Sequence, residues 1–171
     1  SDVCSSDLSP AVMITQHMPP NFTTILATHI RQISDKDCHE AVDGEAVRPG
    51  TVYLAPGDFH MIPAMRDREV VVTLNQNPPV NFCRPAADPM IEALCDIYGQ
   101  QLLLVVLTGM GSDGYLGAAK LHKSGGTVIA QDKDSSVVWG MPRAVAENNA
   151  CKGVLSLDDI PRYLLKACWE K

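Results

Sequence analysis

The feature that most constrains this chain is a regular alternation of short aliphatic runs with amphipathic segments. Residues 102–107 form an aliphatic run of strand length. Residues 115–123 have the spacing of a helix, which is predicted to end before Gly125 and Gly126. Further runs of these two kinds predict strands over 127–130 and 154–157 and helices over 142–147 and 160–169. Strands that alternate with helices pair in parallel, and aliphatic strands are covered on both faces. The sequence therefore predicts a doubly wound, mainly parallel α/β sheet with helices on both faces.

The first half of the chain shows the same elements around a region that is rich in turns. A strand is predicted over residues 11–15, an amphipathic helix over 21–32 and another helix over 89–98. Many Gly, Pro, Asn and Asp residues divide residues 34–85 into short runs, which predicts a hairpin-rich insertion. Residues 1–8 show no clear period, and we expect them to be a leader. A length of 171 residues indicates one domain, here over 9–171.

Composition and charge argue against several classes of function. Apolar residues make up 46% of the chain, as in ordinary globular domains, but its net charge is −6 and it has no run of Lys or Arg. Binding to nucleic acid or to an anionic membrane surface needs a basic face, so neither is expected. The longest aliphatic run is far shorter than the roughly 20 residues that span a bilayer, and we expect no membrane insertion. The six cysteines form no Cys-x-x-Cys pair, and we expect no metal, no cofactor and a cytoplasmic location.

Two loops that follow predicted strands carry ionisable side chains. His17 follows the strand at 11–15, and Asp113 follows the strand at 102–107. Ligands of open α/β sheets bind beyond the carboxyl ends of the strands, so these side chains face one crevice if the two strands are close. A carboxylate bonded to one imidazole nitrogen fixes the tautomer and leaves the other nitrogen as a general base. Such a pair makes up two thirds of a hydrolase triad, so His17 and Asp113 are the candidate catalytic residues.

The same residues have other interpretations. A single histidine in a loop is often only a polar loop residue, and an aspartate just before a helix is usually its N-cap. Residues 109–114 also match the Gly-x-Gly-x-x-Gly pattern of dinucleotide-binding oxidoreductases, with Asp132 at the end of the next strand. Against this second hypothesis, the Asp113 carboxylate lies at the helix start, where the pyrophosphate would have to bind.

Five motifs of this chain resemble those of the catalytic domain of CheB-type chemotaxis receptor methylesterases. In the family's order they are ITQHMPP (14–20), YLAPGDFHM (53–61), PPVNFCRP (78–85), LTGMGSDG (107–114), and IAQ (129–131) with VWGMPR (138–143). The resemblance implies a doubly wound α/β domain that hydrolyses glutamate γ-methyl esters, and deamidates glutamines, on methyl-accepting chemotaxis receptors. It also implies that His17 is the general base, that Asp113 orients it, and that Met110 lines the site and offers a backbone N–H to the oxyanion.

One motif of that family has no counterpart in these residues. The family's nucleophile is a serine in a Gly-x-Ser-x-Gly-Gly turn, one strand-helix unit before the histidine. Ser9 precedes the strand at 11–15, so roughly 20 Å or more of extended chain separates it from His17. We therefore expect a catalytic domain without its first strand-helix unit and nucleophile, inactive and poorly stable alone. The family's receiver domain is expected as a partner within the full-length protein, and a non-catalytic receptor-binding module is the remaining alternative.

Overall fold

The structure is a computed structural model that describes the backbone of residues 10–169 and the side chains of residues 10–168. The predicted leader at 1–8 and Ser9 lie outside the described residues. Five α-helices and eight strands form in this part of the chain. The strands are β1 (Val12–Ile14), β2 (Asp37–Glu40), β3 (Thr51–Leu54), β4 (His60–Arg66), β5 (Glu69–Asn75), β6 (Leu103–Val106), β7 (Thr127–Gln131) and β8 (Gly153–Leu155). The helices are α1 (Phe22–Ser34), α2 (Ala87–Tyr98), α3 (Tyr115–Lys123), α4 (Met141–Glu147) and α5 (Asp159–Trp169).

Six of the strands form two parallel sheets, which confirms the predicted α/β class. One sheet has the order β1-β3-β2, and the other has the order β6-β7-β8. The region predicted as hairpin-rich contains one antiparallel hairpin, β4–β5, whereas β2 and β3 belong to the first parallel sheet. β2 has the sequence DCHE, in which only Cys38 is buried. A polar run of four residues does not predict a strand within a sheet, and this segment is a strand because it pairs with β3.

One buried apolar cluster joins the two parallel sheets through α2. It contains Tyr53 of β3, Val106 of β6 and Val128 of β7, together with Ile91 and Leu94 of α2. The buried residues of α2 recur three and four positions apart, which is the spacing of one helix face. Because α2 packs into this shared core, the start of α2 is held close to the loops that follow the strands of both sheets.

The outer strands of both parallel sheets have an edge without a strand partner among residues 10–169, and β1 and β6 are two of these strands. β1 pairs only with β3, and β6 pairs only with β7. The side chains of Leu103, Leu104 and Val105 are partly exposed, although Val128 and Ile129 on the neighbouring β7 are almost fully buried. An aliphatic strand with exposed side chains and an unpaired backbone edge is a place where another strand can bind.

No helix in the described part of the chain combines the length and the apolar character that a membrane span requires.

Candidate active site

The loop after β1 carries His17 to the carboxyl-terminal end of the first sheet. Only Thr15 and Gln16 separate Ile14, the last residue of β1, from this histidine. The Thr15 hydroxyl donates to the Met90 sulfur of α2 at 3.2 Å, which ties the loop to the central helix. The His17 side chain is 24% exposed, so solvent or a substrate can reach the imidazole.

The loop after β6 brings Asp113 to the same place. Nε2 of His17 lies 2.6 Å from Oδ2 of Asp113, although 96 positions separate the two residues in sequence. Because a carboxylate only accepts hydrogen bonds, Nε2 carries the proton of this bond, and Nδ1 is then the nitrogen with a free lone pair in the neutral imidazole. The structure thus brings His17 and Asp113 together at the carboxyl ends of β1 and β6. The histidine has one nitrogen available for proton transfer.

The Asp113 carboxylate is buried, with 1% of the residue exposed, and it is surrounded by donors. Oδ2 accepts from His17 and from the backbone N–H of Ala87 at 2.6 Å. Oδ1 accepts from the backbone N–H groups of Asp88 and Gly114, both at 3.0 Å, and from the Asn81 amide at 3.2 Å. Asp113 therefore does more than bond the start of α3, the helix that follows it. Its charge also lies at the N-terminus of α2, where the helix dipole favours an anion.

Two buried aspartates at this site have pKa shifts of opposite direction. For Asp113, burial acts to raise the pKa, but the hydrogen bonds from His17 and the backbone outweigh it, so the pKa is lowered. For Asp88, burial is the largest effect, and the neighbouring Asp113 charge adds to it, so the pKa is raised. Carboxyl groups in environments that separate their pKa values are common at catalytic sites. Here the environment keeps the carboxylate that contacts His17 in its charged form.

The glycine-rich loop between β6 and Asp113 is fixed by the segment before α4. The backbone N–H of Gly109 donates to Val138 at 3.0 Å, and its carbonyl accepts from Gly140 and Met141 at 3.0 and 2.8 Å. A Cβ atom at Gly140 would lie 2.7 Å from the Gly109 carbonyl oxygen and 2.9 Å from the nitrogen of Gly111. Only a residue without a side chain allows this close approach.

Met110, the third residue singled out from the sequence, lies in this loop. Its side chain is largely exposed, with 83% of the residue accessible. Among residues 10–168, the backbone N–H groups of Met110 and Gly111 have no hydrogen-bond acceptor. Exposed N–H groups in a fixed loop can bind an oxyanion.

The dinucleotide hypothesis finds little support in this geometry. The N-cap of α3 is Gly114, and the buried Asp113 charge lies directly beside it. A pyrophosphate at this helix start would meet a desolvated negative charge. Within the described part of the chain, no three His, Cys, Asp or Glu side chains form a group that could hold a metal ion.

Sequence reasoning missed three polar residues that support the site, namely Asn81, Asp88 and Gln131. The Gln131 side chain is buried and accepts from the backbone N–H of Thr108 at 2.8 Å, so it fixes the start of the glycine-rich loop. Asn81 and Gln131 lie in two of the family motifs quoted above, and their place in those motifs was the sequence signal that could have identified them. Asp88 directly precedes the helix predicted over 89–98, and an aspartate at such a position usually indicates only a favourable helix start.

Comparison with known proteins gives one consistent family. A family model described as CheB methylesterase matches residues 2–164. The chain is 54% identical over 155 residues to protein-glutamate methylesterase/protein-glutamine glutaminase 1 of Paramagnetospirillum magneticum, covering 91% of the chain and 41% of that protein. It is 52% identical over 159 residues to the protein of the same name from Rhodospirillum rubrum, covering 93% of the chain and 41% of that protein. The chain therefore spans about two fifths of the length of these curated relatives.

A solved structure gives the same result for the fold. The crystal structure of the Thermotoga maritima CheB methylesterase catalytic domain superimposes with a TM-score of 0.90 at 40% sequence identity. The match covers 97% of this chain and 87% of that one.

Proposed function

Because the chain belongs to the CheB methylesterase family, we propose that it is the catalytic part of a protein-glutamate methylesterase. The proposed substrates are glutamate γ-methyl esters on the cytoplasmic helices of bacterial chemoreceptors, with glutamine deamidation as a second activity. Both activities appear in the names of the two curated relatives. The proposed reaction is acyl transfer to a serine followed by hydrolysis, in a cytoplasmic protein with a receiver domain in the same full-length chain.

The observation that carries this proposal is the bond between His17 and Asp113. The 2.6 Å distance from Nε2 to Oδ2 is that of a strong, charge-assisted hydrogen bond. Asp113 is held by backbone donors at the starts of two helices, α2 and α3, so it cannot turn away from the imidazole without breaking several bonds. In the proposed role, Asp113 fixes the His17 tautomer and stabilises the imidazolium that forms during catalysis.

The serine nucleophile is proposed to lie on a further strand between β1 and β6. Both strands have an unpaired edge among the described residues, and the loops that follow them meet at His17 and Asp113. A parallel strand in this position would pair with both edges and cover the exposed aliphatic side chains of β6. The residue after its carboxyl end would then lie beside the free Nδ1 of His17. Within residues 10–168, no hydroxyl or thiol group is hydrogen-bonded to this histidine.

The proposed chemistry proceeds in two half-reactions. The serine oxygen attacks the ester carbonyl while His17 Nδ1 takes the hydroxyl proton. The tetrahedral intermediate then breaks its bond to the methoxy oxygen, which leaves as methanol with that proton. Water attacks the resulting acyl-serine with His17 again as base, which releases the receptor glutamate and restores the serine. The backbone N–H groups of Met110 and Gly111 are the proposed donors to the oxyanion.

The test uses the intact gene product that contains these residues and a purified, methylated chemoreceptor. We expect methanol release, and we expect His17→Gln to reduce kcat by roughly 10²- to 10⁴-fold, the usual contribution of a general base. His29→Gln is the matched control, because His29 is an exposed histidine on α1. Residues 1–171 alone are expected to release no methanol.

Three outcomes would contradict the proposal. The first is receptor binding without methanol release by the intact product, which would favour the non-catalytic module. The second is an unchanged rate in His17→Gln. The third is turnover by residues 1–171 alone at the rate of the intact product, which would contradict the proposed position of the nucleophile.

A further inference from the structure

A tight turn between the hairpin β4–β5 and α2 places one amide side chain between two buried carboxylates. The backbone of Val80 and Cys83 is joined by two hydrogen bonds, at 3.0 and 2.9 Å. Inside this turn, Asn81 and Phe82 both have positive φ angles, 50° and 63°. This left-handed conformation costs about 1–2 kcal/mol for a residue other than glycine, and asparagine tolerates it better than most. Both residues are exposed, but Phe82 turns its side chain fully to solvent, whereas Asn81 turns its amide toward the two carboxylates.

The Asn81 amide nitrogen donates to both carboxylates. Nδ2 lies 3.2 Å from Oδ1 of Asp113 and 3.1 Å from Oδ2 of Asp88. An amide NH₂ has two hydrogens, so this group is fully used by the two bonds. The other oxygen of Asp88 accepts from the backbone N–H of Gly117 at 2.8 Å, which ties this α2 residue to helix α3.

Together with the backbone donors to Asp113, this arrangement leaves Oδ2 facing the histidine. Asn81 lies on the Oδ1 side of Asp113, and His17 lies on the Oδ2 side. Asp88 and Asp113 are 2% and 1% exposed, so little solvent screens the repulsion between them. The shared donor reduces this repulsion and holds the two groups at a fixed separation.

We propose that Asn81 is a positioning residue for the proposed reaction, and that it acts by holding the Asp113 carboxylate in the orientation that binds His17. Asp88 anchors Asn81 in this role through its own bond to the amide. The inference rests on the proposed function for its kinetic consequence, whereas the effect on the bond between Asp113 and His17 can be measured without any activity. The charged or titratable groups that face this cluster are His17, Asp88 and Asp113 together with the Cys83 thiol, whose pKa is raised by burial and then by Asp113.

The experiment compares Asn81→Asp with Phe82→Gly in the intact gene product. Asn81→Asp keeps the size and the turn preference of the residue but replaces the donor by an acceptor. Phe82→Gly changes the same turn without touching either carboxylate. Two quantities are measured: the proton resonance of the His17 Nε2–H group, and kcat and KM for methanol release from a methylated receptor.

We expect Asn81→Asp to shift or broaden the Nε2–H resonance beyond detection and to lower kcat by about 10- to 100-fold. This is the loss usual when a hydrogen-bond partner one step from a functional group is removed. KM should stay within about twofold, because the substrate does not contact Asn81 in this proposal. Phe82→Gly should keep both the resonance and kcat, and Asn81→Gly should behave as Asn81→Asp does.

Two results would overturn the inference. One is a normal Nε2–H resonance with normal kcat in Asn81→Asp. The other is an equal loss in Phe82→Gly, which would make the turn and not the amide responsible. A third result would separate the two proposals. If the Nε2–H resonance is lost in Asn81→Asp and kept in Phe82→Gly, but the intact gene product releases no methanol, the proposed function is contradicted and the positioning role is still supported.

Discussion

The two buried aspartates of the site should respond to the same substitution in different ways. Asp113→Asn preserves the shape of the side chain but replaces one acceptor oxygen by an NH₂ group. Whichever way the amide is turned, this group faces a backbone N–H, that of Ala87 on one side or those of Asp88 and Gly114 on the other. At least one buried N–H then loses its acceptor.

The expected cost follows from the bonds that are lost. An unsatisfied buried donor costs about 1–3 kcal/mol, and each remaining bond to the site loses the strength that the negative charge gave it. We expect Asp113→Asn to destabilise the start of α2 by about 2–4 kcal/mol at pH 7. This corresponds to a fall of roughly 25- to 700-fold in the hydrogen-exchange protection of the Ala87 and Asp88 amides.

The pH dependence has a definite sign for each aspartate. The pKa of Asp113 is lowered by its hydrogen bonds in spite of burial, so its contribution to stability is present above the unfolded pKa, about 3.9, and is lost as the pH falls through the folded value. The cost of Asp113→Asn should therefore shrink below about pH 4. The pKa of Asp88 is raised, first by burial, so its contribution is present below the unfolded pKa and is lost as the pH rises through the folded value. The cost of Asp88→Asn should therefore fall as the pH rises.

Hydrogen exchange measured by mass spectrometry on peptides of α2, in the intact gene product and from about pH 2.5 to pH 8, separates these cases, because the lower end lies below the unfolded pKa of an aspartate. A cost of less than about 0.5 kcal/mol for Asp113→Asn at neutral pH, within the range of ordinary surface changes, would refute the reasoning.

Three other predictions concern the support of the site and its ligands. In steady-state kinetics, Gly140→Ala should lower kcat by roughly 10- to 100-fold with little change in KM, because the new Cβ displaces the Gly109–Gly111 loop. The control Gly153→Ala should show no such loss, because a Cβ there meets only an ordinary contact at 3.6 Å. Thr23→Val should lower the free energy of unfolding in urea by about 1–3 kcal/mol, since the buried hydroxyl accepts from Gly57 and donates to Glu40. Thr24 is an exposed neighbour that bonds the same Glu40, so Thr24→Val should lower it by under about 0.5 kcal/mol. Equal costs of the two substitutions would contradict the role of burial. Millimolar NAD or FAD should leave the melting temperature unchanged, whereas a dinucleotide bound a hundredfold above its Kd would add about 2.7 kcal/mol of stability and would revive the oxidoreductase hypothesis.

The parts of the fold that follow a clear period were predictable from the sequence. The helix over Tyr115–Lys123 agrees with its predicted bounds, and the strands β6 and β7 lie within a residue or two of the predicted ones. The aliphatic runs that form them leave few alternatives once they alternate with helices. β2 was not predictable in the same way, because its polar sequence becomes a strand only through pairing with β3.

The site was predictable as far as loop position and the family's motifs could indicate it. His17 and Asp113 follow strands, and the rule that functional loops lie at the carboxyl ends of strands applies to the sequence directly. Asn81 and Asp88 reach the site through side-chain contacts between distant segments, and no local pattern encodes such contacts. The buried Gln131 was hidden for the same reason, because a glutamine at the end of a strand has no signature of its own.

The central claim is that a serine on a strand between β1 and β6 meets the free nitrogen of His17. Labelling of the intact gene product with a serine-directed fluorophosphonate, followed by peptide mapping, tests it most directly. We expect one modified serine, outside residues 10–169, and a loss of labelling in His17→Gln. A label on a serine within residues 10–169, or labelling that does not depend on His17, would contradict the account.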